Sequence, residues 1–340
     1  MKKALAAFAA LALCGCVAQQ GPTLTQPEVW EPPELAPGNS YFTFSTATTK
    51  QHTFATRSHY AHPCVSPDGK WIAYSATING EHPDVFIQPV DGRSAQEVAS
   101  HPLDDITPAF SPDATRIAFA SNRDGRWNIY VAGLDAAVPV QQITDDGWES
   151  FAPSFAPDGR SIAYATRRKA GEPWMIAVAE LATGSRTLLC EGVYPEYCPT
   201  GEQIVFSRNS RQKPGWPAIW TISVDGSRQT EVYRSDDHGA ITPSWAGKDW
   251  ILFSTIGRKD GNEREGYFRA DDVWVVHVSG TQASRATWHG MQDWDPSFDP
   301  HSERCYYVSN RDGVQNIYSA AMRVPKTPPD ERLLFGAGGR

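Results

Sequence analysis

From residue 60 onward the chain alternates short apolar runs with polar turns, and that alternation is itself repeated. Pro63-Cys64-Val65-Ser66-Pro67-Asp68-Gly69-Lys70-Trp71-Ile72-Ala73-Tyr74 returns as Pro108 to Phe119 and again as Pro153 to Tyr164, with weaker copies starting at Pro195, Pro243 and Pro296. The leading prolines lie 45, 45, 42, 48 and 53 residues apart. In each copy the third residue is large and apolar: Val65, Phe110, Phe155, Tyr197, Trp245 and Phe298. Near the twelfth position an aromatic returns: Tyr74, Phe119, Tyr164, Phe206, Phe253 and Tyr307. A short strand, a Pro-Asp-Gly turn and a second strand place both sets on buried faces, because side chains alternate with a period of two. The aromatics are therefore core positions rather than a cofactor box.

A third apolar stretch follows in every copy, from Val85-Phe86-Ile87 to Asn316-Ile317-Tyr318, and a fourth appears in stretches such as Ala95 to Val98 and Val140 to Ile143. Four antiparallel strands per 40 to 50 residues mark a propeller blade. The expected fold class is all-β, a six-bladed β-propeller. The sixth copy lacks an obvious fourth strand, whereas Thr49 to Thr56, ahead of the first copy, matches the fourth strands elsewhere. The amino-terminal strand is thus predicted to complete the last blade. Closing the ring in this way pairs both free sheet edges.

The pattern Asp-x-x-Pro-x-aromatic-Ser-Pro-Asp-Gly-x-x-Ile-Ala-aromatic, continued by Ser121-Asn122-Arg123-Asp124-Gly125 and echoed by Asn310-Arg311-Asp312-Gly313, resembles the Pro-Asp repeat of the TolB family. The resemblance spans roughly residues 42–322 and implies a six-bladed propeller. That family places an α/β domain before the propeller and is soluble in the periplasm. The front of this chain departs from that plan, so the family's partners, a peptidoglycan-associated lipoprotein and TolA, do not carry over with the fold.

Met1-Lys2-Lys3 is followed by ten apolar residues, Ala4 to Leu13, too few to span a bilayer and laid out as an export signal. Leu13-Cys14-Gly15-Cys16 resembles a bacterial lipobox, which implies cleavage after Gly15 and lipidation of Cys16. Several acyl chains would anchor the protein durably, each buried methylene contributing about 0.8 kcal/mol. Val17 stands where an Asp would mark inner-membrane retention, so the expected location is the outer membrane, facing the periplasm. Five prolines between Gly21 and Gly38 make an extended tether. The expected organisation is a signal over 1–15, the lipidated Cys and tether over 16–41, the propeller over 42–322 and a tail over 323–340.

Charge narrows the partners. With 31 Lys and Arg against 39 Asp and Glu the net charge is −8, which argues against nucleic acid. No Gly-x-Ser-x-Gly elbow, His-Glu-x-x-His or phosphate-binding loop occurs, and the 18 residues after Met322 are too few for an α/β-hydrolase domain. Asp68, Asp113 and Asp158, and Asp124 and Asp312 after them, read as turn formers. Cys305 replaces an Ile and reads as core, and Cys190 and Cys198 read as free thiols.

The connections into each blade's first strand are acidic and aromatic, and they are expected at one end of the ring around its channel. Asp104, Asp105, Trp148, Glu149, Asp236, His238, Asp293 and Trp294 are the expected contacts for a basic protein loop or a wall-derived sugar fragment. No cofactor is expected. The alternative is a metal-dependent lyase or lactonase acting on a sugar acid, with His59, His62 and His238 near the channel, although metal-ligand spacing is missing.

Overall fold

A computed structural model describes residues 43–135, 138–212, 215–258, 268–287 and 291–324. The expected signal, the expected lipid site Cys16, the expected tether and all but the first two residues of the expected tail lie outside the described residues.

Each repeat folds as a four-stranded antiparallel sheet. In blade 1, which follows the strand β1 (Thr43–Gln51), β2 (Tyr60–Val65) lies innermost, followed by β3 (Trp71–Ala76), β4 (Asp84–Pro89) and the outer β5 (Gln96–Ala99). Blades 2 to 5 repeat this order. Blade 6 takes its inner three strands from Asp293–Asp299, Arg304–Ser309 and Asn316–Arg323, and its outer strand is β1, with Phe44 opposite Met322 and Gln51 opposite Tyr318. The predicted closure is found.

The core lies in the seams between blades, one apolar cluster per seam. Tyr74, Phe119, Tyr164, Phe206, Phe253 and Tyr307 are at most 1 % exposed, each at the centre of a second strand. Among the described residues, the seam between blades 6 and 1 has the fewest buried apolar side chains, including Tyr74, Tyr306 and Ile317. Polar groups supplement it. His52, just past β1, bonds Ser319 of blade 6 (2.7 Å) and the Val90 carbonyl beside blade 1 (3.2 Å), while Gln88 donates to the His52 carbonyl (3.1 Å). Lys50 reaches Asp91 at 2.7 Å.

The Pro-Asp turns form as expected. The Asp68, Asp113 and Asp158 carboxylates each accept the backbone N–H two residues on, at 3.2, 3.0 and 2.9 Å. Gly69 and Gly159 adopt positive φ at the tip of the turn. Cys64, Cys190, Cys198 and Cys305 are free thiols, and Cys305 is wholly buried.

One backbone feature is absent from the sequence reading. Every first strand breaks register just before its leading proline, and the residue there is left-handed: His62, Thr107, Ala152, Tyr194, Thr242 and Asp295, with φ between 47° and 53°. This region is rare for non-glycine residues, and rarest for β-branched ones such as the two threonines. The proline lacks an N–H and fits a bulge where no ladder bond is made. The six left-handed residues recur at the same position of every inner strand and line the wall of the central channel.

Candidate functional site

The connections between blades begin the inner strands, which pair with the ends of the second strands, so they share one end of the ring with the loops joining second to third strands. In blade 2, Asp105 lies opposite Ser121 and the Asn122 N–H donates to the Asp104 carbonyl (3.2 Å). The Pro-Asp turns occupy the other end.

The expected binding residues divide here into two groups. Asp105 and Asp293 have side chains with no exposed surface. Arg123, from the next loop of the same blade, donates to Asp105 at 2.9 Å, and Arg311 donates to Asp293 at 3.3 Å. Each guanidinium also stacks on the third-strand tyrosine, Arg123 over Tyr130 at 4.6 Å and Arg311 over Tyr318 at 4.4 Å. Those tyrosine hydroxyls donate to Asp124 and Asp312, which are therefore more than turn formers. In blade 3, Arg167 donates to Glu149 at 2.6 Å and stacks on Trp174 at 4.3 Å. In blades 2 and 6 the Asn-Arg-Asp-Gly motif thus clamps an inner strand to a third strand, and in blade 3 Arg167, at the end of the second strand, does so without the motif.

Asp105, Asp293 and Trp294 lie in the interior, so the loop end is less acidic than its inner strands alone suggest. The cause was legible as a constant spacing, since each acid precedes its arginine by 18 residues. Burial raises the Asp105 carboxyl above its ordinary range, and Arg123 opposes that shift.

Asp104, Trp148, Asp236 and His238 remain at the rim, and the clamped Glu149 keeps 22% of its side chain exposed beside them. Asp104 accepts from Asn122 (3.3 Å) and lies 2.6 Å from His82. The Arg186 guanidinium lies 4.3 Å over the half-buried Trp148 ring. Asp236 is exposed. His238 sits between the Tyr233 hydroxyl (2.8 Å) and Ser235 (3.2 Å), and desolvation lowers its pKa. These residues come from three different blades and do not converge on one point.

The channel does converge. A cavity of about 210 Å³ on the axis is lined by equivalent residues of all six inner strands: the left-handed residues, the leading prolines and most of the residues after them. One of those following residues, Glu196, has Cys64, Ala109, Ser154, Ser244 and Ser297 as its counterparts. Ser154 and Ser297 accept the backbone N–H of Tyr197 and Val65 in the next blade, at 3.0 and 3.3 Å. Glu196 does the same for Trp245 at 2.8 Å. Burial pushes its carboxyl up to about 7. On the left-handed ring His62 lies 3.9 Å from Asp295, and burial holds the His62 pKa down and that of Asp295 up. Among the described residues no three His, Cys, Asp or Glu side chains come together as a metal site.

The repeat, the ring and the clamps agree with a comparison of sequences, in which residues 36–248 match the family described as the TolB beta propeller domain. The chain belongs to that family. A curated relative, the Tol-Pal system protein TolB of Francisella tularensis, is 28% identical over 196 residues, covering 55% of this chain and 44% of that protein. The chain thus spans less than half the length of that relative. Among solved structures, a putative TolB from Agrobacterium tumefaciens aligns over 78% of this chain and 91% of its own, at 20% identity and a TM-score of 0.58. An oligogalacturonate lyase from Vibrio parahaemolyticus aligns over 82% and 96%, at 13% identity and a TM-score of 0.55. At these identities the likeness establishes the fold that TolB propellers share with such enzymes. Among the described residues no helix is long and apolar enough to cross a membrane.

Proposed function

We propose that this TolB-like propeller is a binding and scaffolding protein of the cell envelope, held at the periplasmic face of the outer membrane by a lipid on Cys16. The loop end of the ring captures a protein or a wall-derived sugar fragment. The observation that supports this reading is the division of labour at that end: clamps rigidify the inner strands of blades 2, 3 and 6, Glu149 among them, while Asp104, Trp148, Asp236 and His238 stay at the rim on loops. Variable loops on a rigid frame suit recognition. Membership of the TolB propeller family supports an envelope role in turn.

Cross-linking in intact envelopes tests the surface. Replacing Asp104 and Asp236 with Asn should reduce capture of the main cross-linked species several-fold without moving the melting point. Equal capture would refute the surface. Cys16→Ala should release the protein from membranes into the soluble fraction, and continued membrane association would refute the anchor.

The competing reading is a metal-dependent lyase or lactonase on the same fold. It would require stoichiometric, chelator-removable metal in the purified protein together with turnover of a sugar acid.

A further inference from the structure

The channel holds carboxyl groups with no cation of their own. Its titratable lining consists of His62, Cys64, Tyr194, Glu196 and Asp295, with no Lys or Arg. Among the described residues no Lys or Arg forms an ion pair with Glu196 or Asp295. A buried carboxylate without a paired charge is costly, and mature folds rarely leave one there without a partner or a proton.

The sixfold repeat supplies an internal comparison. The task Glu196 performs for the Trp245 N–H is performed in other blades by a serine hydroxyl, so a carboxylate is more than that bond requires. Only the Oε1 atom of Glu196 is used, by Trp245 and by Ser244 at 3.3 Å. Opposite it in the ring, His62 has a side chain 11% exposed and an Nδ1 atom with no hydrogen-bond partner. Desolvation keeps that imidazole neutral, so it does not cancel the acids. The remaining lining is proline, alanine and phenylalanine.

We infer that the axial cavity binds a small organic ammonium, with the Glu196 carboxylate as its counter-charge and the prolines and Phe110 and Phe155 covering its apolar part. A primary ammonium offers three donors and one positive charge, which a single carboxylate can neutralise. A divalent metal fits less well, because no three ligating side chains converge. The cavity of about 210 Å³ limits the ligand to a small molecule. The ammonium needs Glu196 ionised, and burial pushes that carboxyl up to about 7, so affinity should rise with pH. This site is distinct from the rim, and the inference stands or falls without the surface proposed above.

Isothermal titration of the full chain with n-butylammonium chloride at pH 8 and pH 6 tests it, with n-butanol and calcium chloride as comparison probes. The expected result is one saturable site for the amine, at least fivefold weaker at pH 6, and no binding of n-butanol. Glu196→Gln keeps the bond to Trp245 and should weaken the amine at least fivefold at pH 8. Absence of saturable binding to the wild type would overturn the inference, as would n-butanol binding equally well or calcium binding in place of the amine. If the variant fails to fold, the pH dependence and alcohol comparison on the wild type still decide. Loss of rim capture in the cross-linking experiment would leave these results unchanged.

Discussion

Replacing Arg123 with Met removes the positive charge facing Asp105 and keeps much of the side chain's apolar bulk over Tyr130. The Asp105 side chain has no exposed surface, so it loses its ion-pair partner where water cannot replace it. Breaking a buried pair from one side costs about 3–5 kcal/mol, and the lost cation–π contact adds roughly 0.5–1 kcal/mol. Uptake of a proton by Asp105 limits the cost, so about 3 kcal/mol is the working figure at pH 8. For a domain this large, each kcal/mol moves the midpoint by about 2–4 °C, which gives a drop of about 6–12 °C in scanning calorimetry.

The deficit should shrink at pH 5. A carboxyl whose folded pKa is raised loses stability as pH climbs from its unfolded value to its folded one, and below that window it is neutral in both states. The double variant Arg123→Met, Asp105→Asn, which carries no buried charge, should recover at least half of the loss at pH 8. A single variant within 1 °C of wild type, a deficit equal at pH 5 and 8, or a double variant worse than the single would each refute the clamp as described.

Removal of residues 43–51 should expose the outer edge of blade 6 and abolish the cooperative melt, with aggregation read by light scattering; a monomeric deletion variant with an unchanged melt would contradict ring closure by β1. His52 is held down to about 4 by burial, with Lys50 and Arg304 lowering it further and Asp91 opposing them. Relative to His52→Gln, the wild type should therefore lose about 1.5 kcal/mol between pH 6.5 and pH 5 in denaturant titrations. Glu196, pushed up to about 7, acts in the opposite sense: stability falls as pH rises from about 4.5 to 7. Glu196→Gln should therefore match wild type near pH 4.5 and exceed it by about 1 kcal/mol at pH 8, allowing for partial access of water to the channel.

The candidate site was harder to read in the sequence than the ring. The inner-strand acids look like a continuous acidic surface because their neutralising arginines lie 18 residues further on, Arg123 and Arg311 in loops that read as solvated turns and Arg167 at the end of a second strand. The same spacing in blades 2, 3 and 6 was a readable signal of the clamps. Glu196 sits in a weak copy, where Tyr194-Pro195-Glu196-Tyr197 is recognisable as a repeat only by its proline and the aromatic after it. Nothing local distinguishes its carboxylate from a surface one.

Periodic burial is a local property, and so the chain alone determines the strand order within a blade, the number of blades, the core aromatics and the need for β1 to close the ring. Each follows from alternation, turn chemistry and the shortage of a fourth strand in the last copy. Which acids are exposed is decided by neighbours brought close only when strands pair and blades meet. Tertiary structure placed Asp105 and Asp293 inside against arginines, turned six pre-proline residues left-handed, and gathered Glu196, Asp295 and His62 from separate blades around one axis. Charge and solvation depend on distances across the fold, and those distances exist only once the ring has closed.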